Sequence, residues 1–123
     1  MTAVRRDVLI LACAISAGIH GALVPEHLKE GAGAGGGFIA STVLLAVLAI
    51  WLTVRPDRAA LAAAAAIFAG LIVSYVLATT TGFPVLHPDV EAVDGLALFT
   101  KAIEVGGIAA AVGLILHTRG TPT

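Results

Sequence analysis

The sequence is poor in charge, cysteine and aromatic side chains, and these shortages exclude several classes of protein. Only 12% of its 123 residues are charged and 59% are hydrophobic, whereas soluble domains carry about 25% charged and about 45–50% apolar residues. Cys13 is the only cysteine, which excludes a disulfide scaffold. The formal net charge of −1 argues against a nucleic-acid partner. The low proportion of charged residues and the high proportion of hydrophobic ones exclude a soluble globular domain.

Motifs of catalysis are also missing from the sequence. It contains no Ser–His–Asp nucleophile arrangement, no CxxC and no HExxH. The glycine-rich run Gly31–Gly37 has no Lys-Ser or Lys-Thr after it, so it is not a phosphate-binding loop. We expect this run to be a flexible connection. A membrane enzyme is accordingly the least favoured class of function.

Four apolar blocks account for most of the chain. Each is about 17–22 residues long, which is enough to cross a hydrocarbon core of about 30 Å as a helix. A positive N-terminal region makes the first block similar to a signal peptide, but a charged segment follows it instead of a cleavage site, which favours an uncleaved helix. The sequence predicts an all-α integral membrane four-helix bundle in a single domain, residues 1–123. The expected spans are residues 8–24, 38–54, 59–78 and 95–116.

Basic residues predict how these spans are oriented. Five arginines fall on one side of the membrane if the chain crosses it four times, and only Lys29 lies on the other side. Because short cytoplasmic loops are rich in Lys and Arg, we expect a protein of the bacterial cytoplasmic membrane with both termini cytoplasmic. The outer side then receives the connections 25–37 and 79–94. The five arginines are Arg5, Arg6, Arg55, Arg58 and Arg119.

Histidines and carboxylates gather on the predicted outer side and form a candidate metal site. His20 and His27 are seven residues apart, about two helical turns, so both point the same way on a continuous helix. Pro25 between them predicts a kink. Histidine with carboxylate is a ligand set for zinc, copper or nickel. The predicted ligands are His20, Glu26, His27, His87 and Asp89.

Other interpretations of these residues remain open. The sequence favours His20 as a hydrogen-bonded group between helices, with the other members as solvated loop residues, over a metal ligand. A bis-histidine haem site is compatible with the sequence but nothing specific requires it. Trp51, Tyr75 and Phe83 lie near span ends and are expected to anchor the helices at the membrane interface.

Lys101 and Glu104 are charged residues inside the fourth apolar block. Charge at such depth costs several kcal/mol and is rare unless it is paired or functional. Their i,i+3 spacing places them on one helix face. Three interpretations are open: a buried ion pair that fixes helix register, a proton-relay or substrate site, and snorkelling of Lys101 to the outer interface.

Three segments of the chain, GIHGALVPEHLKE, GGFIAS and TTTGFPVLHPDVEAVDGLALFTKAIE, together resemble an uncharacterised group of small four-span membrane proteins of actinobacteria. The resemblance runs from about Ser16 to Glu104. It implies a membrane protein and no particular reaction. Members often carry a second aromatic residue after the Phe38 position and a glutamine in span two; here Ile39 stands at the first position and the glutamine is missing. The matching residues are His20, Pro25, Glu26, His27, Gly37, Phe38, Thr81, Gly82, Pro84, Lys101 and Glu104.

Two functions follow as hypotheses. The first is a small polytopic membrane protein whose outer His/carboxylate cluster handles a divalent metal, or which serves as an accessory subunit of an envelope complex. Its partners are then the lipid bilayer and either other membrane subunits or a second copy of the chain. The alternative is a small proton-coupled transporter with Glu104 as the coupling carboxylate. Four-span drug transporters carry that carboxylate in span one, where this chain has His20.

Overall fold

A computed structural model describes residues 2–82 and 89–120, and four α-helices account for most of them. These are α1 (Thr2–Glu30), α2 (Ala32–Val54), α3 (Arg58–Thr80) and α4 (Gly95–Gly120). The described ranges contain no β-strand. The predicted all-α fold is confirmed, and each of the four helices is long and apolar enough to cross a membrane.

Helix α1 extends past the predicted end of the first span and includes Pro25. Proline has no N–H group, so it cannot donate to the carbonyl of Gly21 one turn earlier. The chain nevertheless stays helical to Glu30. His20 and His27 therefore lie on one helix, two turns apart.

The glycine-rich run is where the structure differs most from the expectation. Instead of a flexible connection, Gly31 alone separates α1 from α2, and α2 begins at Ala32. Gly31 has φ 153° and ψ 162°, a conformation that is essentially restricted to glycine. A Cβ atom at Gly35 would lie 2.9 Å from the Cα of Leu28. The run is helical because glycine lets α2 turn back and pack directly on α1, and this packing outweighs its low helix propensity.

The other two connections are capped by aspartates. The Asp57 carboxylate accepts a hydrogen bond of 2.9 Å from the Ala60 N–H at the start of α3. The Asp94 carboxylate accepts one of 2.7 Å from the Ala97 N–H at the start of α4. Side-chain oxygens at these positions satisfy N–H groups that have no partner within the helix.

The four helices contact one another to different extents. Helix α1 packs against α2 and α4, and α3 packs against α4, while the contact between α2 and α3 is smaller than these three. We call the end where α1 joins α2 the His27 end, and the end with the α2–α3 turn the Arg55 end. The apolar core contains Leu9, Leu52, Leu61, Phe68 and Leu114.

The outer surface is as apolar as the core. Val43, Ile50, Val73 and Leu98 are all more than half exposed, whereas Ser16, His20, Thr100 and Glu104 are buried. Polar groups inside and aliphatic groups outside are what lipid favours, because hydrocarbon solvates leucine as well as a neighbouring helix does.

A substitution at Gly107 tests how closely α3 and α4 pack. A Cβ atom at Gly107 would lie 2.5 Å from Cε2 of the Phe68 ring. Gly107→Ala should lower the free energy of unfolding by about 1–3 kcal/mol, because the buried ring must move. The control is Gly106→Ala, where a Cβ meets nothing within 4 Å. The control should be neutral or slightly stabilising, and thermal unfolding in detergent measures both. Equal melting temperatures for the two variants would contradict this packing.

Candidate functional site

A cavity of about 300 Å³ lies at the His27 end between all four helices. Leu23 and Phe38 form part of its wall from α1 and α2, and Leu71 and Tyr75 contribute from α3. Helix α4 adds Lys101, and the segment before α4 adds Glu91. The cavity therefore brings apolar side chains together with several of the residues that carry chemistry.

The two histidines of α1 are held in the same way. His20 Nδ1 donates to the Ser16 carbonyl at 2.8 Å, and His27 Nδ1 donates to the Leu23 carbonyl at 2.9 Å. A carbonyl oxygen can only accept, so Nδ1 carries the proton in each ring. Nε2 is then the nitrogen with a lone pair. Such a second hydrogen bond fixes the tautomer that binds a metal or accepts a proton.

Phe38 contacts both imidazoles. Its ring is stacked on His27 with centroids 3.6 Å apart and an interplanar angle of 16°, and it lies 5.2 Å from the His20 ring. The stacking restricts the rotation of His27 and leaves its ring edge, with Nε2, as the reactive part. The sequence gives Phe38 no role, and this contact supplies one.

His27, Glu30 and Glu91 form the group best suited to a metal ion. One ligand atom from each lies within 4.8 Å of the other two. His27 Nε2 is 3.9 Å from Oε1 of Glu91. Glu30 is exposed at the end of α1, and Glu91 is half-buried before α4. An imidazole and two carboxylates supply three protein ligands, as catalytic or exchangeable zinc sites do.

The structure distributes the predicted ligands differently from the sequence-based expectation. His27 lies in this group, whereas Glu26 forms an exposed ion pair of 3.0 Å with Lys29. His20 is buried two helical turns away from His27, beside Ser16. Asp89 is exposed and is not one of the three grouped residues. His87 lies outside the described residues.

Two of the three grouped residues were not among the predicted ligands. Glu30 follows His27 by three residues on a helix, and this spacing places both side chains on one face. Glu30 could therefore have been predicted as a ligand from the sequence. Glu91 reaches His27 only because the segment before α4 returns over the end of α1. No local pattern indicates that contact.

Lys101 and Glu104 form a tight ion pair beside the cavity. Lys101 Nζ lies 2.8 Å from Oε1 and 2.9 Å from Oε2 of Glu104, whose side chain is completely buried. Ser16 of α1 lies beside the Glu104 carboxyl. The Lys101 ammonium also sits 5.4 Å from the centre of the Tyr75 ring. Opposite charges cancel here, and the pair links α4 to α1 and α3.

Tyr75 is one of the three aromatic residues that are expected to lie at the membrane interface. It lines the cavity, and its hydroxyl is buried without a hydrogen-bond partner among residues 2–82 and 89–120. This face of α3 lies toward Lys101 on α4.

Comparisons with known proteins found no relative of this chain. No family model, no curated protein and no solved structure matches the chain. Only the geometry of the site therefore bears on its chemistry. That geometry offers a preoriented imidazole with two carboxylates, a buried neutral ion pair, and a cavity between them.

Proposed function

We propose that this chain is an integral protein of the bacterial cytoplasmic membrane that binds a divalent metal ion on the outer side. Its ligands are His27, Glu30 and Glu91. The observation that carries the proposal is the approach of these three ligand atoms to within 4.8 Å of one another. The hydrogen bond from His27 to Leu23 and the stacking on Phe38 support it, because they orient the metal-binding nitrogen in advance.

The placement in a membrane is supported by the surface of the bundle. Aliphatic side chains cover the outside of four helices that are each long enough to span a bilayer. Arginines cluster at the Arg55 end, which the distribution of basic residues assigns to the cytoplasm. The metal centre at the opposite end then faces the outside of the cell.

The donor set favours zinc, copper or nickel over magnesium and calcium. Imidazole suits zinc, copper and nickel, whereas sites for magnesium or calcium use oxygen ligands alone. Three protein ligands leave a coordination position for water or for a group from a partner. Such an open site suits a protein that accepts and passes on a metal, or an accessory subunit that presents the metal to a larger envelope complex.

Zinc titration of the protein in lipid nanodiscs tests the proposal. His27→Ala should weaken zinc binding at least about tenfold, because a direct ligand is lost. The control is His117→Ala, since His117 is an exposed histidine at the Arg55 end. Affinity should also fall as the solution becomes acidic, because a protonated imidazole cannot ligate.

A pair of carboxylate variants separates this ligand set from the one predicted by sequence alone. Glu91→Gln should weaken zinc binding, whereas Glu26→Gln should leave it unchanged because Glu26 is paired with Lys29. Zinc affinity no tighter than about 100 μM in the unchanged protein would end the proposal, since about −5.5 kcal/mol is too weak for metal handling. Equal losses in His27→Ala and His117→Ala would end it as well.

A proton-coupled transporter is the second candidate. The observation in its favour is that Lys101 lines the cavity, so a substrate entering there reaches the ion pair. However, both oxygens of Glu104 are bound to Lys101, and the side chain has no exposed surface. A coupling carboxylate has to exchange protons with water, so the geometry favours metal binding over this alternative.

A further inference from the structure

A second cavity lies at the Arg55 end of the bundle, opposite the proposed metal centre. Its volume is about 270 Å³, and it is enclosed by α1, α3, α4 and the turn before α3. Arg6 and His117 are the basic groups on its wall, and Ala3 and Pro56 are exposed apolar residues beside them. No carboxylate of the described residues lines this cavity. Its wall therefore combines basic with apolar surface.

Arg6 has hydrogen-bond donors that the described chain does not use. Within residues 2–82 and 89–120 it forms one ion pair, in which Nε lies 3.6 Å from Oδ1 of Asp7. This distance exceeds the roughly 2.9 Å of a charge-assisted hydrogen bond. The Arg6 side chain is 43% exposed, and because Nε is buried, the terminal nitrogens are the atoms that can reach a ligand. A guanidinium fork of this kind matches two oxygens of a phosphate group.

The two ends of the bundle carry opposite charge, and the Arg55 end is the positive one. Five arginines lie there, and Arg58 and Arg119 form no ion pair with the described residues. Only two carboxylates share this end, Asp7 and Asp57, and Asp57 is already occupied by Arg55 at 3.3 Å and by the cap of α3. The His27 end has five carboxylates and one lysine outside the bundle interior. An anion is therefore attracted to the Arg55 end and repelled from the other.

The cavity sits at the level where the apolar surface of the bundle meets its arginines. Val4, Val54 and Leu116 are each more than half exposed near this end. In a membrane such aliphatic side chains contact the edge of the hydrocarbon core, and the lipid phosphates lie at the next level outward. The cavity therefore faces molecules that are anionic at one end and apolar at the other.

We infer that this cavity binds the phosphate of an anionic glycerophospholipid. The phosphate lies between the Arg6 guanidinium and the His117 imidazole, and the acyl chains run along the exposed aliphatic side chains of the bundle. Basic pockets between transmembrane helices bind anionic head groups in this way. A zwitterionic lipid has the same phosphate but adds an ammonium group, which the arginines repel, so the site selects a net negative charge.

This inference goes beyond the proposed metal function, because the two sites share no residue. It depends on the membrane location but not on the orientation of the chain. It also assigns the five arginines a second effect besides their influence on orientation.

The test uses the whole chain in dodecyl maltoside with EDTA present, so that metal binding cannot contribute. An equimolar mixture of dioleoylphosphatidylglycerol and dioleoylphosphatidylcholine is added, and native mass spectrometry gives the ratio of the two one-lipid complexes. Both lipids have the same acyl chains, so the ratio reports on the head group alone. We expect a ratio of at least about five in favour of phosphatidylglycerol.

A pair of arginine variants separates a defined site from diffuse attraction. Arg6→Gln should lower the ratio to near one, because the phosphate loses its guanidinium partner. Arg58→Gln is the matched control: it removes the same charge from the same end, but Arg58 is exposed and does not line the cavity. The control should keep most of the preference for phosphatidylglycerol.

A second pair of variants changes the cavity without changing charge. Ala3 lines the wall and is exposed, so Ala3→Leu places its larger side chain in the cavity and not in the core. This variant should also bring the ratio close to one. Ala59→Leu is its control, since Ala59 is equally exposed at the Arg55 end and does not line the cavity. Circular dichroism and zinc titration establish that all four variants fold.

Three results would overturn the inference. The first is a ratio near one for the unchanged protein. The second is an equal loss of preference in Arg6→Gln and Arg58→Gln, since the arginines would then act only through diffuse charge. The third is release of bound phosphatidylglycerol by millimolar inorganic phosphate at constant ionic strength, which would identify a free phosphate as the ligand. Zinc affinity is measured separately, so failure of the lipid site leaves the proposed metal function standing.

Discussion

Lys101→Met is expected to lower the free energy of unfolding by about 3–5 kcal/mol, because it leaves the buried Glu104 carboxylate without its partner. Both oxygens of that carboxylate lie within 2.9 Å of Lys101 Nζ, and the Glu104 side chain has no exposed surface. Glu104→Gln should cost less, roughly 1–3 kcal/mol. It leaves the Lys101 ammonium without a counter-charge, but the Lys101 side chain is 16% exposed, whereas that of Glu104 has no exposed surface. Thermal or chemical unfolding in detergent measures the loss.

The double variant Lys101→Met with Glu104→Leu separates a packing role from a functional one. Apolar replacement of a complete buried pair is often tolerated, so the double variant should be milder than Lys101→Met alone. If it folds and still binds zinc, the pair acts only in helix packing. Additive losses in the double variant would show that the two side chains do not interact, contrary to the geometry. Glu26→Gln, in an exposed pair with Lys29, should change stability by less than about 1 kcal/mol.

Cysteine labelling should give an all-or-none result for the orientation in the membrane. Val93→Cys lies in the exposed segment before α4 at the His27 end, and Pro56→Cys lies in the exposed turn at the Arg55 end. A membrane-impermeant maleimide should label Val93→Cys in intact cells. It should label Pro56→Cys only after permeabilisation. The reason is the concentration of arginines at the Arg55 end, which favours its retention in the cytoplasm.

The native cysteine should not react in this labelling experiment. Cys13 is completely buried in the core of the bundle, so the unchanged protein should give no signal in either condition. Pro56 is chosen over Asp57 because Asp57 caps α3 and over Arg55 because its charge is part of the orientation signal. Labelling of Pro56→Cys from outside intact cells would reverse the orientation and place the metal centre in the cytoplasm.

Four long helices were predictable from the sequence because their cause is local. An unbroken apolar run in lipid has to satisfy its own backbone, and a helix does this within one segment. The i,i+3 spacing of Lys101 and Glu104 is local in the same sense, and the two side chains do lie in contact. The start of α2 was not predictable, because the helicity of a glycine-rich run depends on its packing against Leu28.

The sequence by itself determined the four long helices and their apolar character, since length and hydropathy decide these. Only the tertiary structure decided the site. It brings Glu91 to His27, places Phe38 against both imidazoles, and places Tyr75 on the wall of the cavity. Each of these contacts joins residues on different segments, and their distance is set by how the helices pack. A sequence pattern along one segment does not determine that packing.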